Sequence, residues 1–346
     1  MDDILAALVG RRRRPVPLDA WRSFWNRVDR RSVAPGAAAA VLASLSTSIP
    51  GPDTVGALLA SLDERRPPIE TSFPDAVNIV GTGGGPATFN ISTAAAFVAA
   101  AMGVPVVKTG ARAYTSRYGS FDLLDRLGVR RTTSYEHTEE VLQRCGIAFA
   151  GQFVYPREIA QLARAVHPLD MRAVAGIVNL LGPFLAAMPV GTLITGVSDH
   201  DVLPLLHQLA SARSAQRTWL CTNDAGADEL LSHVDNVVYR NDDTAGLWLS
   251  RLELGHAPGE MADLRPVQAD DRLVPHFLDV LSGRAGVVAS ETVCLNAAAL
   301  AVAAGVKPDW RAALTAARDA LACGAAVDVV GRLRAQRQRV GAGSHG

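Results

Sequence analysis

The sequence predicts an α/β protein built on a parallel sheet and preceded by a helical N-terminal stretch. Three observations predict it. Apolar residues recur at helical spacing through residues 1 to about 66. From about residue 72 the order becomes strand, glycine-rich loop, helix, strand. That is a βαβ unit, and it implies parallel pairing. After about residue 188 strand and helix alternate again. The 346 residues are 49% hydrophobic, enough for a large core and for a soft prior of about two domains.

The elements follow in order. Leu5, Leu8, Trp21, Phe24, Trp25 and Val28 mark the first helices, Pro35-Gly36 opens an Ala/Leu helix to about Leu45, and another spans roughly Asp53 to Leu62. Val77-Asn78-Ile79-Val80 reads as a short buried strand running into Gly81-Thr82-Gly83-Gly84-Gly85. Asn90-Ile91-Ser92-Thr93 then leads into a helix from Ala94 to Met102. Val104 to Val107 is a second strand, and it enters the loop Lys108 to Ser120. The helix Phe121 to Leu127 stops at Gly128, a fitting C-terminal residue. Residues 156 to about 187 are again helix-like. Strand Thr192 to Val197 precedes a helix Asp199 to Ala210, and strand Thr218 to Cys221 leads into the loop Asn223 to Glu229. Helices fill most of 269 to 338, and the Gly/Ser-rich tail after Val340 is expected to fray.

Composition excludes several classes. Lys+Arg and Asp+Glu are both 34, which argues against bulk nucleic-acid binding. The run Arg11 to Arg14 reads as a solvated loop. Lys108 and Lys307 are the two lysines and the remaining 32 basic residues (34 − 2) are arginine, a pattern of GC-rich coding that makes Lys108 stand out as an amine. The 4 cysteines form no C-x-x-C pair and none lies near a His at zinc spacing, so a reducing, cytoplasmic compartment is expected. Met1-Asp2-Asp3 lacks a signal pattern. The longest apolar stretch, Ala94 to Val107, is too short to span a bilayer and is broken by Gly103 and Pro105.

Two loops carry the chemistry. Both fall at the carboxyl ends of parallel strands, where open α/β sheets bind ligands. The first has four glycines in five residues, so its backbone can approach an anion and turn N–H groups toward it. It is neither the dinucleotide fingerprint nor a Walker loop. Asn90, Ser92 and Thr93 add more polar side chains at a helix N-terminus than a cap requires, and such a terminus favours phosphate. In the second loop Lys108 and Arg112 are suited to clamp phosphates, with Ser116 and Ser120 as further donors. The pair points to a diphosphorylated ligand. Asp228-Glu229, also in a loop after a strand, would suit Mg²⁺ facing that diphosphate.

These residues resemble the anthranilate phosphoribosyltransferase family. The resemblance rests on Gly81-Thr82-Gly83-Gly84, Thr88-Phe89-Asn90-Ile91-Ser92-Thr93, the Lys-x-Gly-x-Arg loop from Lys108, Gly119-Ser120, Asn179-Leu180-Leu181-Gly182-Pro183, Asp228-Glu229 and Asn296-Ala297-Ala298. It extends from the N-terminal helices to about residue 335. It implies a small all-helical domain plus a larger α/β domain with a mainly parallel central sheet flanked by helices. The helical, dimer-forming domain would take residues 1–72 and about 156–187. The α/β domain would take 73–155 and about 188–346. Substrates would bind between the two, in a homodimer. The implied donor is 5-phosphoribosyl 1-diphosphate with Mg²⁺. Gly81, Thr82, Gly83, Gly84, Thr88, Asn90, Ser92, Thr93, Lys108, Arg112, Ser116 and Ser120 would hold it. Lys108 and Arg112 are the candidate catalytic residues, and Ser92, Asp228 and Glu229 the candidate metal ligands.

The sequence departs from that family at four places. Gly85 stands where the family has Asp, and the loop is one residue shorter before Thr88. Thr109-Gly110-Ala111 replaces His-Gly-Asn. Leu169 occupies the position, counted back from Asn179, of the arginine that grips the anthranilate carboxylate. The donor side is kept and the acceptor side rewritten. The expected acceptor is a small aromatic or heteroaromatic molecule other than anthranilate, met by Gly81, Thr109, Ala111, His167, Leu169 and Arg172. The alternatives are an authentic anthranilate enzyme with a relocated anchor, a nucleoside phosphorylase, and a non-catalytic nucleic-acid-binding relative. The balanced charge and the retained donor motifs speak against the last.

Overall fold

The computed structural model describes residues 3–10, 14–111 and 118–342. The chain divides into two compact units. The first comprises Met1–Glu70, Gln152–Ala187 and Pro204–Ala212, and the second Thr71–Gly151, Met188–Leu203 and Arg213–Gly346.

The first unit is helical. Its early helices are Asp3–Val9, Leu18–Asp29, Pro35–Thr47 and Pro52–Asp63. Pro35 and Pro52 open theirs, where a missing N–H costs nothing and φ is already set. Leu18–Asp29 buries Trp21, Phe24, Trp25 and Val28, one face of a 3.6-residue period. Trp25 Nε1 donates to Ser61 Oγ at 2.9 Å, so the indole is buried with its polar atom satisfied. Arg65 ties these helices to the later helix Arg157–Ala165 through Nε to Glu158 Oε1, 2.9 Å. Glu158 is buried, and that pairing accounts for a charge in the interior. The short helices Met171–Val174, Gly176–Leu180 and Gly182–Leu185, and all but the first residue of helix Leu203–Ala212, complete the unit.

The second unit holds a seven-stranded sheet and many helices. The strands are β1 (Phe73–Gly81), β2 (Val106–Lys108), β3 (Ile147–Phe149), β4 (Val190–Gly196), β5 (Arg217–Asn223), β6 (Asn236–Arg240) and β7 (Asp243–Leu249), in the order β3-β2-β1-β4-β5-β6-β7. The first five pair in parallel, with Val77 opposite Val106 and Gly81 opposite Gly196. β6 and β7 add an antiparallel edge. The mainly parallel sheet is as expected from the βαβ reading, and its central strands are apolar and buried along most of their length. Helix Ile91–Ala101 is buried almost all round and packs on Val287–Ala303, their alanines allowing close approach. Phe97 seals it against Phe149 at 5.3 Å and Phe277 at 5.8 Å between ring centres.

Several boundaries differ from the sequence reading. The first strand runs from Phe73, and the helix after the glycine loop begins at Ile91 rather than Ala94, placing Ser92 and Thr93 in its first turn. The expected helix Asp199 to Ala210 is a 3₁₀ turn, His200–Val202, followed by Leu203–Ala212, with Pro204 in the first turn. The last helix continues to Ala342, past the expected helical limit at 338 and into the start of the tail expected to fray. The hairpin of β6 and β7 has no counterpart in the sequence reading. No described helix is long and apolar enough to cross a membrane.

Candidate active site

The carboxyl ends of β1, β2, β4 and β5 converge in the second unit. Gly81 ends β1 opposite Gly196, which ends β4 opposite Cys221 of β5. The chain then turns through Gly83 and Gly84 at φ of +71° and +89°, a region that side chains rarely enter. Thr82 N donates to Gly196 O at 2.9 Å, and Ser198 Oγ donates to Gly83 O at 2.6 Å. The glycine loop is thus fastened to the end of β4.

The loop also meets the acid pair. Gly83 N donates to Asp228 Oδ2 at 2.8 Å, and Thr88 Oγ1 donates to Glu229 Oε1 at 3.3 Å. The approach is so close that a Cβ at Gly81 would lie 1.9 Å from Asp228 Oδ2. A Cβ at Gly85 would lie 2.5 Å from the Gly226 carbonyl. In this chain the position where the family has Asp has no room for a side chain unless the Gly226 turn moves.

Lys108 ends β2 and is buried, with Nζ donating to Ile79 O at 2.6 Å. Burial pushes its ammonium down to about 8, against the pull of the Glu229 and Asp228 carboxylates. Burial raises Asp228, opposed by the Gly83 N–H and by Lys108. Glu229 is raised well above the usual carboxylate range by burial and by the charge of Asp228. Two carboxylates against one lysine leave the cluster short of positive charge, and a bound cation would relieve it. Among the described residues no three His, Cys, Asp or Glu side chains cluster as a metal cage. The adjacent carboxylates of Asp228 and Glu229 would fit Mg²⁺, which takes one or two carboxylates and completes its shell with water and phosphate oxygens.

The remaining predicted residues fall as follows. Asn90 precedes the helix and makes no side-chain capping bond; Ser92 is half-buried, and Thr93 Oγ1 is buried without a hydrogen-bond partner among the described residues. Thr109 is buried, accepting from Asn78 Nδ2 at 2.8 Å while its N–H donates to Asn78 Oδ1 at 3.0 Å. Ser120 opens a helix and donates to Ala111 O at 3.3 Å. His167 and Leu169 belong to the helical unit and are exposed, Leu169 at 50%. Arg112 and Ser116 lie outside the described residues, as does the side chain of Arg172.

Sequence reasoning missed Ser198 and Asn78. Applying the strand-end rule to β4 would have found Ser198, two residues past its end. Asn78 was signalled by its place inside an apolar strand, where an amide needs a partner.

Comparison with known proteins bears on the family and the fold. The family model described as "Glycosyl transferase family, a/b domain" matches residues 73–327. The anthranilate phosphoribosyltransferase of Cenarchaeum symbiosum is 31% identical over 257 residues, 73% of this chain and 74% of that one. That of Chlamydia caviae is 34% identical over 194 residues, 56% of this chain, and the match spans only 55% of its length. The crystal structure of the Thermus thermophilus anthranilate phosphoribosyltransferase superposes with a TM-score of 0.79 at 28% identity, covering 97% of this chain and 99% of that one. A Saccharomyces cerevisiae anthranilate phosphoribosyltransferase structure, in complex with PRPP and Mg, shares the fold with a TM-score of 0.78 at 19% identity, covering 91% of each chain. The chain belongs to the anthranilate phosphoribosyltransferase family.

Proposed function

We propose that the protein transfers a phosphoribosyl group from 5-phosphoribosyl 1-diphosphate, with Mg²⁺, to an aromatic or heteroaromatic acceptor other than anthranilate. The observation that carries the donor half is the contact of the glycine loop with the acid pair, Gly83 to Asp228 and Thr88 to Glu229. Asp228 and Glu229 would hold Mg²⁺, with Ser92 as a further ligand. When bound, the ion neutralises the diphosphate and makes it a better leaving group. The loop N–H groups and the first turn of Ile91–Ala101 orient the phosphates. Lys108 adds positive charge beside the departing oxygen, with Arg112 as its partner in that role. The C1–O bond breaks with its electron pair going to the diphosphate, an electron pair of the acceptor forms the new bond to C1, and the proton displaced from the acceptor passes to the diphosphate or to water. Positioning and charge carry the rate, and no side chain needs to bond to the sugar.

The acceptor half rests on the residues where the chain departs from its family. Leu169 offers hydrocarbon where a carboxylate would need an arginine, and Ala111 offers a methyl group where the family has an amide. Gly81, His167 and Arg172 are the other residues proposed to meet the acceptor; Thr109 is held by Asn78 instead. The names of the relatives favour a second reading, the authentic anthranilate enzyme. Diphosphate release, measured with donor, Mg²⁺ and each of a panel of aromatic amines, heterocycles and anthranilate, separates them. Release with a heteroaromatic or non-carboxylate acceptor and none with anthranilate is expected. Turnover of anthranilate as the preferred acceptor establishes the second reading instead. The cytoplasm as location and a homodimer as assembly remain part of this proposal.

A further inference from the structure

The segment that carries the acid pair is irregular, yet its backbone is bonded almost group by group. Asn223, at the end of β5, accepts from Ala227 N at 3.3 Å and donates to Ala227 O at 3.3 Å and Glu229 O at 2.8 Å. Asn296, from helix Val287–Ala303, accepts from Leu230 N at 3.2 Å and donates to Leu230 O at 2.7 Å. Asn236, which opens β6, accepts from Leu231 N at 2.8 Å and donates to Leu231 O at 2.9 Å. All three side chains are buried, at 1–2% exposure.

A primary amide is suited to this task. It has a donor and an acceptor on one plane, so a single side chain satisfies both the N–H and the C=O of one residue. A loop without ladder pairing takes such bonds from side chains or water. We infer that Asn223, Asn296 and Asn236 form a clamp that presets the backbone on both sides of Asp228-Glu229, with Asn223 the positioning residue that holds the Glu229 peptide directly. This rests on the proposed function, in which the two carboxylates hold a divalent cation. The three asparagines touch neither ion nor substrate. They fix where the two carboxylates stand before either arrives, so that none of the binding free energy goes into ordering the loop.

The test compares the parent with Asn223→Ala, Asn223→Asp and Asn241→Ala. Asn223→Asp keeps the volume and the contact with Ala227 N–H while removing both donations, and it reads the same quantity if the alanine variant does not fold. Asn241 bonds Thr218 N and Gln216 O at the other end of β5, so its loss measures a general cost in stability. Two quantities are read: amide exchange of residues 226–231 in the free protein, and Mn²⁺ binding with phosphoribosyl diphosphate present, followed by electron paramagnetic resonance. Both Asn223 variants are expected to exchange at least about tenfold faster across that segment and to bind Mn²⁺ at least about tenfold more weakly. Asn241→Ala is expected to lower the unfolding temperature and change neither quantity. Asn223 variants that bind Mn²⁺ within twofold of the parent overturn the clamp and leave the proposed function standing. So does an Asn241→Ala protein that loses Mn²⁺ equally. A parent that binds no Mn²⁺ in the presence of donor overturns the proposed function, and the clamp with it.

Discussion

Gly196→Ala is expected to remove donor binding while leaving the sheet folded. Gly196 ends β4 at the point where the acid-pair loop crosses it, and a Cβ there would lie 1.7 Å from the Asp228 carbonyl oxygen and 2.2 Å from its carbon. Both atoms are backbone, so no rotamer change relieves the overlap. The segment that Asn223 and Asn296 hold must move away, and Asp228 Oδ2 then leaves Gly83 N. A displacement on the order of 1 Å in a positioned group costs about 100-fold in rate or more. Donor affinity and activity should fall at least that far, with a stability cost of about 1–3 kcal/mol, the usual range for overpacking. Gly81→Ala is a graded comparison. The three atoms nearest its Cβ all belong to the side chain of Asp228, which can rotate, so the backbone survives while the Gly83 contact is lost. Calorimetry of donor binding together with circular dichroism checks both. A Gly196→Ala protein that binds donor within threefold of the parent contradicts the account.

Asp228→Asn is expected to separate charge from shape. Asparagine keeps an oxygen that can accept from Gly83 N, so the glycine loop stays in place while one negative charge disappears. If the carboxylate serves the cation, Mg²⁺-dependent donor affinity should fall by at least about 100-fold, equivalent to about 2.7 kcal/mol. Binding without Mg²⁺ should change little. The measurement is a donor titration at several Mg²⁺ concentrations. Equal Mg²⁺ dependence in parent and variant would show that Asp228 serves only the loop.

The parts of this architecture that were legible in the sequence are local. A glycine run after an apolar strand, polar side chains before an Ala-rich helix, and adjacent carboxylates after a strand each declare themselves within about ten residues. The parts that were not legible depend on distant partners. Asn296 lies far along the chain from Leu230, and its pattern within a helix of alanines signals only that it must bond to something. Asn78 binds Thr109 across two strands, which turns a residue assigned to the acceptor into one whose side chain is spent in the interior. Gly85 reads in the sequence as the loss of an aspartate; in the structure it is the residue that the Gly226 turn allows. The hairpin of β6 and β7 escaped notice because the second strand is exposed over residues 245–248 and lacks the alternation that marks a half-buried strand.

The most direct test of the central claim is a calorimetric titration of the protein with phosphoribosyl diphosphate in the presence and absence of Mg²⁺, followed by anthranilate into the loaded protein. The account predicts donor binding that requires Mg²⁺ and no heat from anthranilate. Absence of donor binding contradicts the transferase reading, and saturable anthranilate binding contradicts the reading of Ala111 and Leu169.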